Sequence, residues 1–128
     1  MGWSRIARII AMRILVAYEE RHRAYRDTIA EVLGSLRPQA RIEVSAISGL
    51  EEAVLRLDPH VVIANSPNVA DPGGRPAWIQ LPAEPDDAAG LCLGGEYTEV
   101  TNPGLDRLLE HVDEAERMSR RGEDLGGC

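Results

Sequence analysis

Short, continuous apolar runs that alternate with helical patterns constrain the fold of this chain more than any other feature. Residues 13–18 and 60–64 are two such runs, and each has the length of a buried strand. Between them, residues 42–46 alternate apolar and polar side chains, which is typical of a strand with one less protected face. Helical segments separate the three strands, so the order β-α-β-α-β favours a parallel sheet with right-handed crossovers.

The two connecting helices carry recognisable signals. Within residues 21–36 the apolar side chains recur at spacings of three and four, and Pro38 follows as a stop. Ser48 and Glu51 have the spacing of a capping box and predict the start of the second helix there. Asp58-Pro59 predicts its end, because the residue before a proline disfavours helix.

The second half of the chain is less regular. Residues 77–81 predict a fourth strand. A fifth strand is predicted within residues 90–101, as either Gly90–Leu93 or Glu96–Thr101, and the pattern does not separate the two. A last helix follows, with Asn102 as its cap. We expect an N-terminal arm at residues 1–11, with Met12 a candidate native start, an α/β domain at 12–117, and a flexible tail at 118–128.

Composition excludes several classes of function. All 14 basic residues are arginines, so no catalytic or phosphate-binding lysine exists, and the net charge of −7 argues against nucleic acid as a partner. No apolar run approaches the roughly 20 residues of a membrane span. A bridge between Cys92 and Cys128 is possible but is not expected, because Cys128 is the last residue, and this fits a reducing, cytoplasmic location.

The rule for open parallel sheets places ligands beyond the carboxyl ends of the strands. The residues at these predicted ends form the candidate site. They are Glu19 and Glu20 after the first strand, Asn65 and Ser66 after the third, Leu81 after the fourth, and Asn102 after the fifth.

Three segments resemble the receiver domain of response regulators, over about residues 12–117. They are Arg-Ile-Leu-Val-Ala-Tyr-Glu-Glu at the first strand, Asp-Pro-His-Val-Val-Ile-Ala-Asn at the third, and Asn-Pro before the last helix. The resemblance implies a three-layer α/β fold of the flavodoxin type, with an open parallel sheet in strand order 2-1-3-4-5. Its third and fourth helices would be shortened or missing here.

The chain departs from the receiver pattern where the chemistry resides. In the family an acidic pair holds Mg²⁺, an aspartate accepts the phosphoryl group, and a hydroxyl residue and a lysine complete the site. Glu19 and Glu20 match the acidic pair, so Mg²⁺ is a candidate ligand, although carboxylates at a helix start have a simpler explanation. Asn65, Leu81 and Asn102 replace the other three, and an amide is not a nucleophile toward phosphoryl donors.

The resulting hypothesis is a stand-alone, degenerate receiver-like module that acts by protein–protein interaction, without phosphotransfer, enzymatic activity or a required cofactor. A protein partner or a homodimer is expected, with no direct contact to nucleic acid or membrane. The alternative is a small-ligand or nucleotide-binding domain that uses the candidate site, with or without enzymatic activity. An acidic surface for a basic partner is predicted from Glu99, Asp106, Glu110, Asp113 and Glu114.

Overall fold

The computed structural model describes residues 12–66, 75–82, 87–101 and 103–128, which form one α/β unit. The strands are β1 (Arg13–Tyr18), β2 (Arg41–Ala46), β3 (Val61–Ala64), β4 (Ala77–Gln80), β5 (Ala88–Leu93) and β6 (Glu96–Thr101). The helices are α1 (Arg23–Leu36), α2 (Leu50–Leu57) and α3 (Leu105–Arg120), with single 3₁₀ turns at Glu20–His22 and Ile47–Gly49.

The sheet is mixed, and this corrects the predicted fold. Its six strands lie in the order β2-β1-β3-β4-β5-β6. The first four are parallel, whereas β5 is antiparallel to both β4 and β6. The expectation of a flavodoxin-like parallel sheet in the order 2-1-3-4-5 is therefore wrong.

Chain length and turn chemistry explain the difference. Only residues 81–87 connect β4 to β5, and a parallel crossover needs about a dozen residues or more. Both candidates for the fifth strand are strands, joined by Gly94 and Gly95, whose φ angles are +62° and +81°. Two consecutive left-handed residues suit a two-residue hairpin turn, so the chain folds back on itself. No helix occurs in the described parts of the connections on either side of β4.

Each face of the sheet is covered by different helices. One face packs against α1 and α3, and its central side chains are buried. These include Ile14, Val16, Ile63, Ile79 and Leu91 from the strands, with Leu33, Leu108 and Val112 from the helices. The other face packs against α2 through Leu15, Val62 and Trp78. The two faces explain why β3 and all of β1 after Arg13 are buried and almost entirely apolar, because both sides of these central strands are covered.

Two helix starts differ from the sequence prediction. Ser48 lies inside a 3₁₀ turn, and α2 begins after Gly49 with no side-chain cap, so the predicted capping box is wrong. Helix α3 begins after Gly104. Asn102, the predicted cap, lies outside the described residues. Asp58 ends α2 in the left-handed conformation, with φ at +50°, which reverses the chain into β3.

The C-terminal segment, residues 121–128, packs against the sheet, whereas the sequence predicted fraying after Met118. Helix α3 ends in a Schellman motif: Gly122 has φ +74°, and the Glu123 N–H donates to the Met118 carbonyl at 2.9 Å. Leu125 is buried among the side chains under α1 and α3. The segment therefore adds to the core. Residues 1–11 lie outside the described part, so the predicted domain start stays a prediction.

A disulfide joins Cys92 on β5 to Cys128 at the end of this segment. The sequence prediction that this bridge is absent is wrong. The hairpin brings Cys92 beside the returning chain, which linear sequence spacing does not reveal.

Candidate functional site

The carboxyl edge of the sheet brings together part of the predicted site. The Asn65 N–H donates to the Ala17 carbonyl at 3.4 Å, and the Leu81 N–H donates to the Ala64 carbonyl at 2.8 Å. The ends of β1, β3 and β4 are thus adjacent. Strand β6 also ends at this edge, but β5 separates it from β4. The residue after it, Asn102, lies outside the described residues.

Asn65 has an unusual environment for an amide. Both its Oδ1 and its Nδ2 are buried, and neither has a hydrogen-bond partner among the described residues. A buried polar atom without a partner typically costs about 1–3 kcal/mol. The amide could therefore gain from a ligand that offers one donor and one acceptor. It offers no nucleophile. Its neighbour Ser66 accepts a hydrogen bond at its carbonyl from Trp78 Nε1, at 2.9 Å.

Glu19 and Glu20 are exposed, and each faces an arginine of its own segment. A Glu19 oxygen lies 3.1 Å from Arg21 Nε, and a Glu20 oxygen lies 3.6 Å from an Arg26 nitrogen. Arg26 is only 7% exposed, and its Nε also donates to Asp27 at 3.0 Å. Of the predicted acidic pair, only Glu20 therefore helps to neutralise the buried Arg26, together with Asp27, whereas Glu19 pairs with the exposed Arg21. Within the described residues, no group of three His, Cys, Asp or Glu side chains is placed to hold a metal ion.

A second polar cluster lies at the amino edge of the sheet, where sequence reasoning expected none. Arg13 Nε donates to the Asp58 carbonyl at 2.8 Å, and the Arg13 main-chain N–H donates to His60 Nδ1 at 2.9 Å. Burial, and secondarily the Arg13 charge, lower the pKa of His60. The imidazole is therefore neutral near pH 7, with its proton on Nε2. The sequence feature that could have predicted this cluster is Asp58-Pro59-His60, which places a carboxylate and an imidazole between the end of a helix and a strand.

This cluster lines a cavity of 460 Å³ whose opposite wall is the C-terminal segment. Arg13, His60 and Arg75 lie on one side, and residues 122–127 on the other. Asp58 lies 3.6 Å from Arg13 and 3.9 Å from Arg75, so the positive charges in the cavity already face a carboxylate. The charges that line this cavity therefore do not indicate which class of small ligand it would bind.

Strand β6 forms one outer edge of the sheet. Most of its side chains are exposed, and Tyr97 is 58% exposed. The two-residue turn makes Leu93 and Glu96 a hydrogen-bonded pair. Along the rest of the hairpin, pairs that exchange main-chain hydrogen bonds alternate with pairs that do not. By this alternation the main-chain N–H and C=O groups of Tyr97, Glu99 and Thr101 point away from β5. No described strand pairs with this side of β6.

The opposite edge, β2, is better protected. Its side chains are mostly half-buried, and Glu43 lies 3.1 Å from Arg41 and 2.9 Å from Arg56 of α2. Ion pairs and a flanking helix are devices that protect sheet edges from pairing. Of the two edges, β6 is therefore the more open to another strand.

The predicted acidic surface is divided in the structure. Val100 of β6 packs under α3, so its neighbour Glu99 points to the opposite face of the sheet. Asp113 and Glu114 are held in ion pairs, with Arg37 at 2.7 Å and with Arg117 at 2.5 Å. The five acidic residues do not form one continuous free surface. On β6 itself, Glu96 and Glu99 remain exposed.

Comparisons with protein-family models, with curated proteins and with solved structures yield no match to this chain, so nothing identifies a receiver domain. Among the described helices, none combines the length and the apolar character needed to cross a bilayer.

Proposed function

We propose that this chain is a protein-interaction module that performs no phosphotransfer, and that it docks its partner at the open edge of β6. One observation carries the proposal: β6 is a six-residue edge strand with outward main-chain groups that no described strand pairs. An extended peptide can add to such an edge through main-chain hydrogen bonds. The receiver fold is not part of this proposal, because β5 and β6 form an antiparallel hairpin.

The side chains of β6 supply features that would select a partner. Tyr97 lies across Gly90 of β5, so that a Cβ added at Gly90 would meet the Tyr97 ring. This contact holds a large aromatic side chain against the sheet while most of it stays exposed, and tyrosine is enriched at interfaces. Glu96 and Glu99 add negative charge and no basic residue lies on the strand. A partner strand with basic side chains is therefore favoured.

A proline at position 99 tests the edge directly. The Glu99 N–H points away from β5, so Glu99→Pro removes a docking donor without breaking the β5–β6 ladder. Glu99→Ala is the matched control, because it removes the carboxylate and keeps the N–H. Both variants are first compared with the parent chain by circular dichroism and thermal unfolding.

Each purified chain is then used to capture partners from its native cell extract with a carboxyl-directed cross-linker, since the chain has no lysine for amine chemistry. We expect the parent and Glu99→Ala to retain a stoichiometric partner with cross-links at Glu96, and Glu99→Pro to lose it. Equal capture by Glu99→Pro, or cross-links that all lie away from β6, would contradict the docking site. The molar mass measured by light scattering distinguishes a homodimer of this chain from a complex with a different protein.

Phosphotransfer is tested by intact mass after incubation with Mg²⁺ and a small-molecule phosphodonor. We expect no adduct, because an amide rather than a carboxylate follows β3 at Asn65. A stoichiometric, base-labile adduct would show that another carboxylate accepts the phosphoryl group.

The second candidate function is small-ligand binding at the carboxyl edge, and the two buried, unpartnered atoms of Asn65 favour it. Thermal-shift screening against nucleotides, flavins and divalent ions tests it. A ligand that stabilises the parent chain but not Asn65→Ala would support this function. No stabilisation by any of these compounds would count against it.

A cytoplasmic location stays part of the proposal, although the disulfide removes the argument for it that rested on two free cysteines. Disulfides in that compartment are usually transient and redox-sensing. The Cys92–Cys128 bridge would then be a regulated bond.

A further inference from the structure

We propose that the C-terminal segment is a redox-sensitive latch, held by the Cys92–Cys128 disulfide against the turn of the β5–β6 hairpin and released by reduction. The proposal does not depend on whether β6 binds a partner. It rests on the contacts of residues 122–128, on the exposure of one of the two cysteines, and on the cavity that the segment helps to line.

The segment has few contacts besides the disulfide. The Gly94 N–H donates to the Leu125 carbonyl at 2.7 Å, and the Gly95 N–H donates to the Gly126 carbonyl at 2.9 Å. Leu125 is buried, but Glu123, Asp124 and the last two residues are exposed. The Schellman motif ties Gly122 and Glu123 to the end of α3, and Glu123 also pairs with Arg121. Beyond Glu123, one apolar side chain and two main-chain hydrogen bonds must offset the conformational entropy of residues 124–128. The disulfide therefore provides the additional stabilisation that keeps the segment in place.

The disulfide is open to exchange from one side. Cys128 is exposed at the chain terminus, whereas Cys92 is 9% exposed on β5. A thiolate of an external dithiol attacks the Cys128 sulfur, and Cys92 leaves as a thiolate that takes up a proton. The second thiol of the reductant then displaces Cys128. Two electrons and two protons pass to the protein, which gains two thiols, and the reductant becomes a disulfide.

Release of the segment changes the amino edge of the sheet. Residues 122–127 form one wall of the 460 Å³ cavity, so their departure opens the side that holds Arg13, His60 and Arg75. Leu125 also leaves its position beside the core under α1 and α3. Arg75 and Asp58 are already exposed, so reduction uncovers mainly the partly buried Arg13 and His60, together with an apolar site. The Schellman motif at Gly122 can still end α3.

Hydrogen exchange followed by mass spectrometry tests the latch on the full chain, with and without dithiothreitol. In the oxidised chain we expect protection of the Gly94 and Gly95 amides, and we expect reduction to remove it. Peptides from β1 and α1 serve as the internal reference and should keep their protection. Cys128→Ser is the matched variant: without reductant it should exchange like the reduced parent, and dithiothreitol should leave it unchanged.

Three results would overturn the proposal. The first is unchanged protection at Gly94 and Gly95 after reduction, which would mean that the non-covalent contacts hold the segment by themselves. The second is alkylation of both cysteines in the air-oxidised, unreduced chain, since that would show that no bridge forms. Loss of protection throughout the reduced chain would also overturn it, because the disulfide would then support the whole fold rather than a latch.

Discussion

Arg37 and Asp113 join the end of α1 to the middle of α3 through two parallel hydrogen bonds. Arg37 Nε donates to Asp113 Oδ1 at 2.8 Å, and Nη2 donates to Oδ2 at 2.7 Å. This fork-to-fork geometry is the strongest arrangement for an arginine and a carboxylate. Because both helices cover the same face of the sheet, the pair fixes their relative position at the surface.

Asp113→Asn should lower the stability of the chain modestly, because about a third of each side chain is exposed and solvent screens the pair. The hydrogen bonds from Arg37 lower the pKa of Asp113. Its contribution is therefore complete above the unfolded pKa near 3.8 and is lost as the pH falls through the folded value. Urea unfolding at low and high salt measures this, with Glu114→Gln as the control. A difference that survives 1 M salt would contradict the electrostatic explanation.

Cys128→Ser should reduce the free energy of unfolding far more. The bridge spans 36 residues, and closing a loop of this size in the unfolded chain contributes about 2–4 kcal/mol. Urea unfolding of the oxidised parent, the reduced parent and the variant measures the loss. The reduced parent and the variant should agree. If all three have the same midpoint, the bridge does not constrain the unfolded chain.

Alanine substitutions at the hairpin turn should differ in cost. Both glycines have positive φ, so Gly94→Ala and Gly95→Ala should each cost about 1–2 kcal/mol of stability. A Cβ at Gly94 would also lie 2.7 Å from Met118 Cε, whereas nothing lies within 4 Å at Gly95. Gly94→Ala should therefore be the more damaging, as measured by urea unfolding. The reverse order would mean that Met118 moves aside without cost.

The stability of the chain should fall as the pH drops below about 6.5. Burial lowers the pKa of both His60 and His111 in the folded state, so the unfolded chain binds more protons in this range. The contribution of each neutral imidazole is complete above 6.5 and is lost as the pH falls through the folded pKa. His60 also faces Arg13, Asp58 and Glu116, and His111 faces Arg107 and the Cys92 backbone.

Unfolding measured between pH 7.5 and 5 tests this dependence. His60→Asn keeps an acceptor for the Arg13 N–H, and His111→Phe replaces an imidazole whose Nε2 is buried without a described partner. Each variant should have a flatter pH profile than the parent chain. A profile as steep as that of the parent would mean that carboxylates control the acid response.

The central strands and α1 were predictable because their signal is local. β3 and the part of β1 after Arg13 are continuous runs of mostly apolar residues, which is the pattern typical of a strand that is buried on both faces. The hairpin was not predicted because the β-α repetition in the first half of the chain suggested that the last strand would also be parallel. The Gly-Gly pair between Leu93 and Glu96 was the available signal, since two left-handed residues suit a two-residue turn.

Only the part of the candidate site that lies at the ends of neighbouring parallel strands could be predicted from the sequence. The adjacency of Asn65 and Leu81 follows from β1, β3 and β4 ending at one edge. The pairing of Glu20 with a buried Arg26 was not predictable, because a helical pattern does not show which long side chain folds back over its own turn. The disulfide depends on the hairpin and on the return of the chain after Gly122, which are tertiary features.

The disulfide also has a consequence for β6, because Cys92 lies directly opposite Tyr97 in the β5–β6 ladder. Cys92 precedes the hairpin turn and Cys128 ends the chain, so the bond closes a covalent macrocycle that contains all of β6 and α3. A strand inside such a ring has less freedom to lose when a partner adds to it. For the proposed docking at β6, the oxidised chain would therefore offer a preorganised strand, with the entropic cost of ordering it incurred during folding rather than during binding.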